Sequence, residues 1–141
     1  TGISSSIYYL YDHETGYNDD TSPMDGVYVQ SADIDLGDGD SLAFIKRIIP
    51  DVKFINTAGE DPNGAINLVL KNRDFNGESL STDSTSQVTA TTTQNYVRAR
   101  GRQFVIRFES DDDNIEADRK DFKFRIGSTR LDIQPSGRRG A

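Results

Sequence analysis

The sequence predicts an all-β protein: an antiparallel sandwich or blade-like sheet of about eight strands with long polar loops. Three observations carry this prediction. Apolar residues recur at every second position in several segments, the signature of strands with one buried face. No segment shows a capped 3.6-residue period. Gly, Asp, Asn, Ser and Pro cluster between the alternating runs, as turns require.

The elements follow in chain order. "SIYYLYD" (6–12) reads as an edge or interface strand, because its three tyrosines and leucine exceed what one small core needs. Residues 12–26 are a polar loop, so 1–26 forms an N-terminal linker or interface arm ahead of a β domain over 27–141. "VYVQSADID" (27–35) and "SLAFIKRII" (41–49) are strands, with "LGDGDS" between them as a hairpin loop. Pro50 ends or bulges the second of these, since proline cannot donate to a ladder. "VKFI" (52–55) resumes pairing. "AINLVLK" places Ile66, Leu68 and Leu70 on one face. Residues 76–93, rich in Ser and Thr, read as a mobile loop, although the threonines also suit an exposed hairpin. "QFVIRFE" buries Phe104, Ile106 and Phe108. "NIEADRKDF" (114–122) allows one helical turn. "DFKFRIG" presents Phe122, Phe124 and Ile126 inward, and "TRLDIQP" does the same with Leu131 and Ile133.

Residues 95–109 pose a parity problem. Arg98, Arg100 and Arg102 share the parity of Phe104, Ile106 and Phe108. A regular strand would aim three guanidiniums at the core, at prohibitive cost unless each is paired. Gly101 offers a bulge or break that flips the register. Two separate strands, 94–100 and 102–109, would serve equally. The arginines then face solvent or a partner's carboxylates. Arginine in place of lysine suits bidentate pairing.

Charge and composition narrow the function classes. The 141 residues carry a net charge of −7, 34% hydrophobic residues and a mean hydropathy of −0.63. Twelve acids and three bases lie in residues 1–64, giving −9, whereas eleven acids and thirteen bases lie in 65–141, giving +2. A global grip on DNA or an acidic membrane is disfavoured. The asymmetry suits head-to-tail contact between subunits. There is no cysteine, which excludes disulfides and thiolate metal sites. No apolar run approaches the roughly 20 residues of a membrane span, so no membrane insertion is expected. The opening "TGISSSIYYLYD" has neither a basic n-region nor an initiator Met, and reads as a piece of a longer chain.

Reactive constellations are sparse. His13, the single histidine, sits in a polar loop with no local frame resembling a nucleophile elbow. Asp33, Asp35, Asp38 and Asp40 are weak candidates for a calcium loop. Counted from Asp33, the EF-hand pattern fails, because its twelfth position is Phe44. An Asp-rich turn is the simpler reading, and the same holds for "SDDDN" (110–114). "GDGDS" lacks the lysine and helix of a phosphate loop. Tyr96 alone offers a base-stacking ring near the arginines, which leaves single-strand binding weak. No catalytic residue, cofactor or enzymatic activity is expected.

One resemblance adds to this. "DIDLGDGD…FIKRIIPDVKF", "YVRARGRQFVIRFESDD" and the closing "FRIGSTRLDIQPSGRR" resemble the C-terminal region of tail nozzle or hub (stabilisation-type) proteins of short-tailed, podovirus-like bacteriophages. The likeness runs from about Val27 to Arg139. It departs from that family in a longer "NIEADRKD" loop, in Phe124 where a tryptophan is expected, and in a much shorter chain. The resemblance implies a structural virion protein in the tail, without catalysis. Such a subunit assembles with copies of itself and other tail proteins around the DNA exit channel. Double-stranded DNA passes without specific binding. Arg98, Arg100, Arg102, Arg138 and Arg139 are the expected intersubunit or intrachain partners for carboxylates. The alternative, from another class, is a secreted calcium-dependent carbohydrate-binding β-sandwich. It would use the Asp33–Asp40 turn for calcium and stack Tyr8, Tyr9 and Tyr11 on sugar. A glycan-degrading tail enzyme is disfavoured by length.

Overall fold

A computed structural model describes residues 26–35, 41–56, 58–110 and 123–138. Among them are eleven strands and no helix, in antiparallel sheets of a sandwich-like all-β fold. The strands are β1 (Tyr28–Gln30), β2 (Ile34–Asp35), β3 (Ser41–Ile49), β4 (Val52–Asn56), β5 (Gly59–Glu60) and β6 (Ala65–Arg73). They continue with β7 (Ser81–Thr89), β8 (Asn95–Gly101), β9 (Gln103–Ser110), β10 (Lys123–Ile126) and β11 (Arg130–Arg138). A five-stranded sheet runs β1-β9-β6-β7, with β2 on the same edge of β9 as β1. Two three-stranded sheets run β11-β3-β8 and β10-β4-β5.

The alternating pattern forms the core as the sequence predicts. Leu68 and Leu70 of β6 lie opposite Phe108 and Ile106 of β9, and Ile66 and Phe104 on the same face are buried with them. Ala43, Ile45 and Ile48 of β3, with Val97 and Ala99 of β8, bury the facing layer. Leu131, Ile133, Phe124 and Ile126 pack against the same cluster from partly buried positions.

The count of eleven exceeds the expected eight for identifiable reasons. Segment 27–35 divides into β1 and β2, because Ser31 interrupts the ladder while its amide still donates to the Ile106 carbonyl at 2.9 Å. The Ser/Thr stretch is not a loop through 81–89: it forms β7, the second arm of a hairpin with β6. Its alternation is hidden because only Val88 on its inward face is strongly apolar. The expected pairing of 27–35 with 41–49 does not occur. β2 pairs with β9, while both edges of β3 are taken by β8 and β11. The readings for 6–12, 12–25, 36–40 and 114–122 fall outside the described residues.

Pro50 does interrupt a strand, as expected. β3 and β4 are separated only by Pro50 and Asp51, and their partners β11 and β10 are separated at 127–129. Asp51 ties the two breaks together. Its carbonyl accepts from the Gly127 amide at 2.7 Å, and its carboxylate accepts from the Ser128 amide at 3.0 Å. A Cβ at Gly127 would collide with that carboxylate. Replacing Gly127 by Ala is therefore expected to cost about 1–3 kcal/mol, in the range of a lost local polar contact plus overpacking. Urea unfolding checks this, and an unchanged midpoint would contradict the role of the joint.

Candidate interaction face

The parity problem is solved by a corner of one residue. β8 ends at Gly101 and β9 begins at Gln103 in a different sheet, so only Arg102 lies between them. Along β8 the odd positions Asn95, Val97, Ala99 and Gly101 are buried, and Tyr96, Arg98 and Arg100 are exposed. Beyond the corner the even positions Phe104, Ile106 and Phe108 point to the core. Both routes offered by the sequence thus coincide: separate strands and a switched face.

A buried amide pins the corner. Asn72, 9% exposed, donates from Nδ2 to the Arg100 carbonyl at 2.8 Å, and its Oδ1 accepts from the Ser81 hydroxyl at 2.6 Å. The Arg102 amide donates to the Arg73 carbonyl at 3.3 Å. A Cβ on Gly101 would lie 3.1 Å from the Asn72 Cβ, so the close approach favours glycine.

The switch turns the arginines onto the outer face of the β11-β3-β8 sheet. Cross-strand partners share a face, so the register defines its rows. Asp132, Arg47 and Tyr96 form one row, and Gln134, Phe44 and Arg100 the next. Arg98 lies beside the bulge between Ile45 and Arg47, where Lys46 is exposed. Arg130, opposite Ile49, is exposed at the end of β11. A polar chain crosses the first row. Arg47 pairs with Asp132 at 3.4 Å and donates to Gln94 Oε1 at 3.1 Å, and Gln94 Nε2 donates to the Tyr96 hydroxyl at 2.8 Å. The Tyr96 ring, 70% exposed, is held at its tip while its body stands in solvent.

The five-stranded sheet treats its arginines differently. Arg73 pairs with Asp33, donates from Nε to Gln103 Oε1 at 2.8 Å, and reaches the Glu78 carbonyl at 3.1 Å. Arg107 pairs with Glu109 at 2.7 Å, and its guanidinium lies 3.6 Å from the Tyr28 ring centroid, a cation–π contact. The side chains of Arg73 and Arg107 are 16% and 23% exposed. Val69 and Val105 are buried on this same outer face, consistent with coverage by long side chains.

The expected site residues divide accordingly. Arg98 and Arg100 are brought to one face, and neither pairs with a carboxylate among the described residues; Arg100 donates to the Ser136 carbonyl at 3.3 Å. Arg102 is half-buried at the corner. The Arg138 side chain and Arg139 lie outside the described residues, although the Arg138 backbone pairs with Ser41. Carboxylate pairs among the described residues include those of Arg47, Arg73, Arg107 and Lys53. Sequence reasoning missed them because each joins segments whose register was not visible, except Arg107–Glu109, whose two-residue spacing in a strand was a usable signal.

The calcium candidates are engaged otherwise. Asp33 holds Arg73, and Asp35 accepts from Gln103 Nε2 at 3.3 Å. Asp38, Asp40, His13 and the three N-terminal tyrosines lie outside the described residues. No group of three or more His, Asp or Glu side chains suited to a metal occurs among the described residues.

Open depressions also occur among the described residues. One, about 540 Å³, is lined by Val52, Lys53, Phe54, Glu60 and Pro62 among others. There the hydrogen bond and charge of Lys53 hold the Glu60 carboxyl below its ordinary range. Another, about 280 Å³, is lined by Arg73, Asp74, Glu78 and Asp83 among others. Desolvation, with the charge of Asp74 adding to it, raises the Asp83 carboxyl above its ordinary value.

No family model matches the chain, and no curated protein matches it.

The two sheets predict opposite mutational costs. Arg73→Ala leaves Asp33 and the Gln103 Oε1 without Arg73 as their partner and is expected to lose about 1–3 kcal/mol. Arg98→Ala removes an exposed side chain and is expected to stay within about 0.5 kcal/mol. Equal losses in urea titrations of the two variants would contradict this division.

Proposed function

We propose that the protein is a structural assembly subunit, a non-enzymatic building part of a short-tailed bacteriophage tail. The reading rests on the likeness of its arginine-rich and C-terminal segments to tail nozzle or hub proteins. One observation carries it. The two segments most specific to that likeness, Arg98–Gln103 and Gly127–Arg139, are distant in sequence. They nevertheless flank the same strand, β3, through β8 and β11, and Arg100 reaches the Ser136 carbonyl between them at 3.3 Å. A motif pair that meets in one sheet and turns its cations outward is what a subunit needs to register against a neighbour.

In this reading the chain works with copies of itself and with other tail proteins, and double-stranded DNA passes without specific recognition. The paired arginines of the five-stranded sheet stabilise the subunit. The outer face of the β11-β3-β8 sheet remains for contact.

Immunogold labelling tests the reading. An antibody to this chain, applied to phage particles from the source culture, is expected to mark tails. Particles that carry the label on heads, or carry none, would contradict the assignment.

A further inference from the structure

We propose that the outer face of the β11-β3-β8 sheet docks against a second copy of this chain, whose carboxylate-bearing first 25 residues supply the counter-charges. The inference rests on the assembly reading above and names its contact.

Charge complementarity carries the argument. Among the described residues the face presents Lys46, Arg47, Arg98, Arg100 and Arg130 against a single carboxylate, Asp132. The first 25 residues hold five Asp and Glu and no Lys or Arg. Guanidinium forks match carboxylates in geometry as well as sign. The arginines of the other sheet have found their acids within the chain; Arg98 and Arg100 have found none among the described residues. An exposed Tyr96 stands among these cations, with Phe44 partly buried in the next row. Tyr and Arg are among the residue types that carry most of the energy at protein contacts.

The docking is between copies because of where the acidic segment enters the fold. The Val27 carbonyl accepts from the Ser110 amide at 2.8 Å, which fixes the start of β1 on the edge of the five-stranded sheet. The acidic segment therefore joins the fold on a different sheet from the basic face. A basic face on one copy meeting an acidic segment on the next is a heterologous contact, which closes into a ring or extends as a filament. Phosphate is the weaker fit. The chain as a whole carries −7, which repels a polyanion, and Tyr96 is the one strongly exposed ring on the face among the described residues.

Sedimentation velocity of the full chain tests this. At about 50 mM salt the protein is expected to sediment as species larger than a monomer, and at about 500 mM as a monomer, because screening shortens the reach of exposed charges. The double variant Arg98→Glu, Arg100→Glu is expected to lose at least about tenfold in apparent association constant, with an unchanged circular dichroism spectrum. A second variant leaves the sheet untouched: Asp12, Glu14, Asp19 and Asp20 are each replaced by Lys, with the same loss expected. An equimolar mixture of the two variants is expected to regain association.

Wild-type protein that is monomeric at low salt would overturn the proposal. So would undiminished association in either variant, a mixture that stays monomeric, or random double-stranded DNA bound under conditions where the copies do not associate. Any of these alongside gold-labelled tails would reject this contact while leaving the tail assignment standing.

Discussion

Everything in this protein turns on the change of parity at Arg102. A chain that continued straight would carry either its arginines or its phenylalanines to the wrong side, and burying one unpaired guanidinium already exceeds what a marginally stable domain tolerates. The corner removes the conflict by moving the chain to another sheet within one residue. Phe104, Ile106 and Phe108 then complete the core with β6. Arg98 and Arg100 stand outside beside β3. Asn72 holds the corner by satisfying the Arg100 carbonyl and gathering Ser81, so one buried amide links β6, β7 and β8.

The same corner separates two uses of arginine. On the five-stranded sheet, Arg73 and Arg107 meet carboxylates and a tyrosine ring under partial burial: Arg73 through charge-assisted hydrogen bonds, Arg107 through an ion pair and a cation–π contact. There they act as roofing over the outer side of β6 and β9. On the β11-β3-β8 sheet the cations are exposed around Tyr96. Exposed charges contribute little to the stability of their own chain, but they steer and register a partner. An acidic protein with one basic sheet thus carries the charge complementarity on which the proposed contact between copies rests.

Much of the fold was legible in the sequence, because a period of two is written directly into "AINLVLK", "QFVIRFE" and "TRLDIQP". The break near Gly101 was legible too, since charge cost forced it. β7 was legible only as the alternative of a threonine-rich hairpin, because nine residues with a single buried valine carry almost no hydrophobic signal. Pairing was the other blind spot. Nothing local says that residues 34–35 choose β9 over their neighbour β3; that follows from which sheet edges remain open once β8 and β11 have flanked β3. The candidate face was half legible: Arg98 and Arg100 stood out, whereas Arg47, Phe44 and Asp132 join them only through cross-strand register.

The absence of cysteine makes the parity switch directly measurable by thiol labelling of single-cysteine variants in the native state. The account predicts fast labelling of Arg98→Cys and Arg100→Cys. It predicts that Ala99→Cys and Ile106→Cys label only when the protein unfolds. Labelling of Ile106→Cys as fast as Arg98→Cys, or protection of both, would mean that the side chains keep one parity through Arg102, and the account would fall.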